Sequence, residues 1–134
     1  MSRLEMKGLD IILLLIGGML GVYIRYRLVD SPVAIDLLPI NILLINVIGS
    51  FILGAFSVIS ISWNLDGKYV LLVAIGFCGA FTTMSSFALE TINLIDDRQI
   101  GMAVINILLN TGLSLGAVVA GRSFIDILLE WGVS

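Results

Sequence analysis

The sequence predicts an all-α integral membrane protein of four transmembrane helices, the third of them broken at mid-membrane. Three observations carry that prediction. Hydrophobic residues make up 59% of the 134 residues and charged residues only 13%, with a mean hydropathy of +1.13; soluble domains carry roughly a quarter charged residues. Four apolar stretches follow one another at about residues 10–26, 37–63, 69–94 and 100–129, each near the ~20 residues a spanning helix needs. Within the third lies Gly76-Phe77-Cys78-Gly79-Ala80-Phe81-Thr82-Thr83-Met84-Ser85-Ser86-Phe87, where glycines and hydroxyls weaken the helix by entropy and by competing hydrogen bonds. Backbone broken at that depth must face protein, water or an ion.

The first stretch follows Arg3 and Lys7 as a signal peptide would, but it carries Gly17, Gly18 and Gly21, ends in Arg25 and Arg27 and shows no small-residue cleavage site, so it reads as the first transmembrane helix. The second ends before Asn64-Leu65-Asp66-Gly67-Lys68, and the third before Asp96-Asp97-Arg98-Gln99; Val29-Asp30-Ser31-Pro32 separates the first two. Turn formers and charges end each helix. The whole chain, 1–134, is read as one four-helix transmembrane domain without a separate soluble part.

With four spans, Arg3, Lys7, Lys68 and Arg122 fall on one side of the membrane and Arg25, Arg27 and Arg98 on the other. Such a balance gives almost no positive-inside bias. Two readings stand: a weak orientation signal, or a protein that inserts both ways and pairs as an antiparallel dual-topology homodimer. The formal charge of −3 and the scattered basic residues argue against a nucleic-acid partner. One Cys and no His leave neither an internal disulfide nor the usual nitrogen ligand of a transition metal.

Polar stripes run along two helices. Asn46, Ser50 and Gly54 share one face of the second, and Asn106, Asn110 and Ser114 one face of the fourth. Gly112 and Gly116 form a GxxxG pattern suited to close packing. Packing explains the glycines but not three intramembrane asparagines, whose amides are costly in lipid unless hydrogen-bonded. The stripes are interhelical glue or a polar pathway. If a pathway, its amide and hydroxyl donors, with no carboxylate near the centre of a span, favour an anion, and the positive ring edge of Phe87 adds to that bias.

In four places the chain resembles the Fluc (CrcB) family of small fluoride channels. Gly17-Gly18-Met19-Leu20-Gly21 with Arg25-Tyr26 is similar to that family's first-helix pattern, and Asn46-Val47-Ile48-Gly49-Ser50-Phe51 with Gly54 to its second-helix N-x-x-G-S-F pattern. Gly76 to Phe87, followed by Glu90, resembles the G-x-x-G-x-x-T-T-F-S-T-F signature of the broken third helix. Asn106 with Ser114 resembles the polar side of the fourth. The resemblance implies a passive, non-enzymatic fluoride channel in the cell membrane, an antiparallel homodimer with two pores and a structural Na⁺ at its centre. The Na⁺ would be held by the backbone carbonyls of Gly79 and Thr82. Asn46 and Phe87 would be pore residues, with Thr83, Ser85 and Ser86 on the polar part of the break, Asn110 and Ser114 along the polar track and Arg25 near a vestibule.

Three departures accompany the match. Met84 stands at the position of the first pore phenylalanine, Asn41-Ile42 replaces a Gly-Thr, and Asn110 replaces a more typical serine. Met84 remains in the expected pore set as a long, polarizable side chain. Two other classes compete. A small multidrug-resistance-type proton-coupled exporter needs an embedded acid in the first helix, and none lies between Asp10 and Asp30. A non-conducting membrane scaffold would use the stripes only to pack helices.

Overall fold

The computed structural model describes residues 7–31, 38 and 40–132. Arg3, Pro32 and the Leu37 start expected for the second helix lie outside the described residues. Four helical spans long and apolar enough to cross a membrane run over Gly8–Asp30, Ile40–Ser62, Gly67–Asp96 and Ile100–Gly132, and the described residues contain no β-sheet. Large apolar side chains point outward along all of them, among them Leu15, Met19, Ile75, Leu108 and Val119. The small and polar residues face inward. Gly17 and Gly21 of the first span are buried, as are Gly49 and Gly54 of the second and Ala103, Asn106, Asn110, Ala117 and Gly121 of the fourth. That distribution inverts the soluble pattern, as expected where lipid is the solvent and close backbone approach drives packing.

Local chemistry sets the ends of the helices. Lys7 N–H donates to the Asp10 carboxylate at 3.0 Å, and Arg27 stands in the last turn, so both charges suit the first helix's dipole. The second span closes on Asn64 at φ 46°, with Leu65 N–H donating to Ser60 O at 3.0 Å and Asn64 N–H to Ile61 O at 3.2 Å. The third closes the same way on Arg98 at φ 60°, with Gln99 N–H donating to Leu94 O and Arg98 N–H to Ile95 O. Both are Schellman turns, which satisfy the last carbonyls with a left-handed residue. Asn tolerates that conformation well, whereas Arg98 holds it without help from its side-chain type. Asp66 then caps the third span, its carboxylate accepting from Lys68 N–H at 3.0 Å.

The spans pair out of sequence order. The second packs chiefly on the fourth, and the first on the opening half of the third. Glycines make both contacts possible. A Cβ at Gly54 would fall on the Val118 backbone, and one at Gly121 on the backbone of Phe51 and Ala55; at Gly17 and Gly21 it would meet the Leu72 and Phe77 carbonyls. Gly112 and Gly116, the GxxxG pair expected to bring helices together, have nothing within 4 Å and face an apolar groove beside Val47, Ile48 and Phe51. Close packing of the fourth span uses Gly121 instead.

The third span is broken, though not at its glycines. It winds as an α-helix over Gly67–Val70, widens to a π-helix over Leu71–Cys78 and returns to α over Gly79–Phe81. It opens only at Thr82 (φ −75°, ψ 154°) and Thr83 (φ −148°, ψ 113°), then restarts as Met84–Asp96. Gly79 itself keeps helical angles, φ −63° and ψ −34°. Gly76 serves close packing, since a Cβ there would lie 2.8 Å from Leu14 O and 3.2 Å from Gly17 Cα. Phe81 of the break, Ile42 and Ile45 form the apolar core, with Phe77 and Phe87 against it and Phe77 stacked on Phe81 at 5.4 Å between centroids.

Candidate pore site at the broken helix

Asn46 holds the break open. Its Oδ1 accepts from Thr83 N–H at 2.9 Å, and its Nδ2 donates to Thr83 O at 3.3 Å. One side chain from the second span thus meets both backbone polar groups of Thr83, and its Oδ1 replaces the helical partner that the Thr83 N–H loses. Local groups complete the accounting. Thr82 N–H and its hydroxyl both donate to Cys78 O, at 3.0 and 2.9 Å. Thr83 Oγ1 caps the restarted helix by accepting Ser86 N–H at 3.2 Å.

These diversions leave particular carbonyls open. The amide that would close a helical turn onto Gly79 O is Thr83 N–H, which is given to Asn46. The amide that would do the same for Thr82 O is Ser86 N–H, which is given to the Thr83 hydroxyl. The Gly79 and Thr82 carbonyls near mid-span thus lack the amides a continuous helix would give them.

A chain of side-chain hydrogen bonds continues from Asn46 into the fourth span. Asn46 Nδ2 donates to Asn110 Oδ1 at 3.1 Å. Asn110 Nδ2 donates to Asn106 Oδ1 at 2.9 Å and to Asn106 O at 3.2 Å. Asn106 Nδ2 donates to Thr91 Oγ1 at 3.1 Å, and the Thr91 hydroxyl donates to Phe87 O at 2.8 Å. Asn106, Asn110, Thr83 and Thr91 are all buried. The hydroxyls of the break form a shorter chain, Thr83 donating to Ser86 Oγ at 3.0 Å with Ser85 Oγ 3.3 Å from Thr83 Oγ1.

A groove of about 430 Å³ opens beside this network, and no charged side chain lines it. Of the residues expected to form the site, Asn46, Thr82, Thr83, Met84, Phe87, Asn110, Ser114 and the backbone of Gly79 line it together. Ser85 and Ser86 do not; they reach it only through the Thr83 hydroxyl. Arg25 also lies outside the lining, half-buried near the end of the first span. Met84 is exposed at 76%, whereas Phe87 packs on the Ile42, Ile45 and Phe81 core. Asn110 turns both its N–H groups to Asn106 and its carbonyl to Asn46, so it offers the groove no spare donor. Ser114 Oγ is buried without a hydrogen-bond partner, and it does.

Sequence reasoning missed three residues of the site, Thr111, Cys78 and Thr91. Thr111 and Cys78 line the groove, but Thr111 is off the four-residue stripe and a lone thiol in an apolar run carries no polar signal. Thr91 anchors the amide chain from the third span, and a stripe on one helix says nothing of its partner on another. Glu90, one turn beyond Phe87, has a buried Oε2 without a hydrogen-bond partner.

Four apolar spans, a mid-membrane helix break and an uncharged, mainly apolar groove that carries a few amide and hydroxyl groups make this a small multi-pass membrane protein. The chain belongs to the CrcB-like protein, Camphor Resistance (CrcB) family, whose sequence model matches residues 12–122. It is 50% identical over 125 residues to the fluoride-specific ion channel FluC of Nitrosopumilus maritimus, covering 93% of this chain and 99% of that protein. It is 39% identical to FluC 1 of Nocardia farcinica, over 85% of this chain and 79% of the relative. A further relative, FluC of Methanocaldococcus jannaschii, is 39% identical over 84% of this chain and 91% of its own length.

Proposed function

We propose that this protein is a passive, fluoride-selective channel of the cell membrane that lets cytoplasmic F⁻ leave down its electrochemical gradient. The observation that carries the reading is the groove lining, in which Asn46, Ser114 and Thr111 stand beside Phe87 with no charged side chain among them. A fluoride path must replace strong hydration over a narrow passage, and several neutral donors do so without the deep trap a fixed positive charge would create. Passive flow also needs no energy-coupling residue.

The working form is an antiparallel homodimer. The groove is open in a single chain, with Met84 exposed on it, and the near balance of basic residues suits insertion in both orientations. The carbonyls of Gly79 and Thr82, left open by the diverted amides, would hold a structural Na⁺ where two broken helices meet, two oxygens from each copy. Such a cation would tie the breaks of the two copies together, while Asn46 and Thr83 orient the path within each.

Liposomes carrying the protein and loaded with both halides are expected to lose F⁻ quickly and Cl⁻ very slowly once a cation ionophore balances charge. Equal loss of the two ions would end the fluoride-selective reading. Orientation is read separately, by labelling Ser134→Cys in a Cys78→Ala background in cells. About half of the termini are expected to react from each side of the membrane, as dual topology requires; reaction from one side alone would refute it.

A further inference from the structure

The amide chain through Asn46, Asn110 and Asn106 has a single possible order. It is set from the Thr83 end, whose N–H and C=O cannot exchange donor for acceptor; the Thr91 hydroxyl at the other end, here donating to Phe87 O, can do either. Asn46 must turn Oδ1 to the Thr83 N–H, so its Nδ2 faces Asn110. Asn110 must then present Oδ1 to Asn46 and Nδ2 to Asn106, whose own Nδ2 is left for Thr91. Turning Asn46 or Asn110 over sets like groups against each other at two contacts or more, and turning Asn106 over sets its N–H groups against those of Asn110.

The geometry points to Asn106 as a positioning residue for anion passage: its side-chain carbonyl holds the Asn110 amide, so that Asn110 turns Oδ1 to the Asn46 amide, keeps Asn46 locked on Thr83 where the helix opens beside the groove, and adds no donor of its own. Asn106 lies outside the groove lining and is 2% exposed, so it acts through Asn110 and never touches the ion. The chain also explains how an asparagine serves at 110. A serine needs no orienting partner, whereas an amide turned about its soft terminal torsion would present the wrong end. This inference rests on the fluoride-channel reading.

The test is a double-mutant cycle on fluoride efflux from liposomes. Asn106→Leu is expected to slow efflux about tenfold with asparagine at 110 and by less than about twofold when Asn110→Ser is the background, because residues in one hydrogen-bond network couple strongly. An equal loss in both backgrounds, or none in the first, would overturn the positioning role. Side-chain amide NMR of the intact protein decides the same point without a leucine variant. The Asn110 amide is expected to exchange slowly with solvent in the absence of fluoride, and its signal to stay nearly unchanged when fluoride is added. A large fluoride-induced shift at Asn110 would make it a direct ligand and refute the inference. Wild-type liposomes that retain fluoride would refute the channel reading instead, and the exchange of the Asn110 amide would still report its orientation.

Discussion

Asn46→Asp is expected to cut fluoride efflux by about 100-fold or more, because a half-buried carboxylate would face two carbonyl acceptors and the passing anion, and each ~1.4 kcal/mol added to the barrier is a factor of ten in rate. The substitution keeps size and keeps the oxygen that accepts Thr83 N–H at 2.9 Å. Its second oxygen, however, replaces Nδ2 and lies against two acceptors, Thr83 O and Asn110 Oδ1. The Asn110 amide must turn over or leave, and either move breaks its bonds to Asn106. A negative charge facing the groove also repels an anion. Efflux from liposomes measures the effect, with gel filtration of the same sample reporting whether the protein remains assembled. Efflux at the wild-type rate would mean that Asn46 only joins helices.

Gly49→Val is expected to remove fluoride efflux and lower the thermal unfolding temperature. A Cβ at Gly49 would run into the Thr82 methyl and lie 3.1 Å from a Phe81 ring carbon, so valine pushes on both residues where the helix opens. Overpacking of this kind typically costs ~1–3 kcal/mol. It falls on Thr82, whose carbonyl the break leaves open, and on the Phe81 core beneath. Gly101→Ala is the control, since nothing lies within 4 Å of Gly101. A Gly49→Val protein with wild-type melting and efflux would show that the second span does not brace the break.

The broad plan was legible because it is written in hydropathy and in local contrast. Four apolar stretches, and one of them seeded with Gly, Thr and Ser, define four spans and a broken third without knowledge of any contact. The position of the opening was not legible in the same way. Local propensity pointed to the glycines and the hydroxyls alike; Gly79 stays helical and the chain opens at Thr82 and Thr83, because the side chain that takes up the Thr83 N–H comes from Asn46, 37 residues earlier. The π-helical stretch Leu71–Cys78 is nearly uniform in apolar character and carries no signal of its width. The stripe of Asn46 and Asn110 was visible as two faces, but the choice between glue and pathway depended on where each amide hydrogen goes. The structure puts Asn110 among the groups that bind protein and Ser114 among those left uncommitted. The GxxxG pair shows a related limit: spacing identifies a smooth face, not the surface it meets, and among the chain's described residues that face meets nothing within 4 Å.

The alternation of partners, first span with third and second with fourth, has a consequence for biogenesis. A chain leaving the ribosome delivers Asn46 to the bilayer well before Thr83 exists, and Thr83 before Asn110. The second and third spans can join Asn46 to Thr83 as soon as the third arrives, but Asn110, Asn106 and Thr91 meet their partners only with the fourth. The hydrogen-bond order that runs from Thr83 to Phe87 is therefore set in two steps, opened by the third span and closed by the fourth.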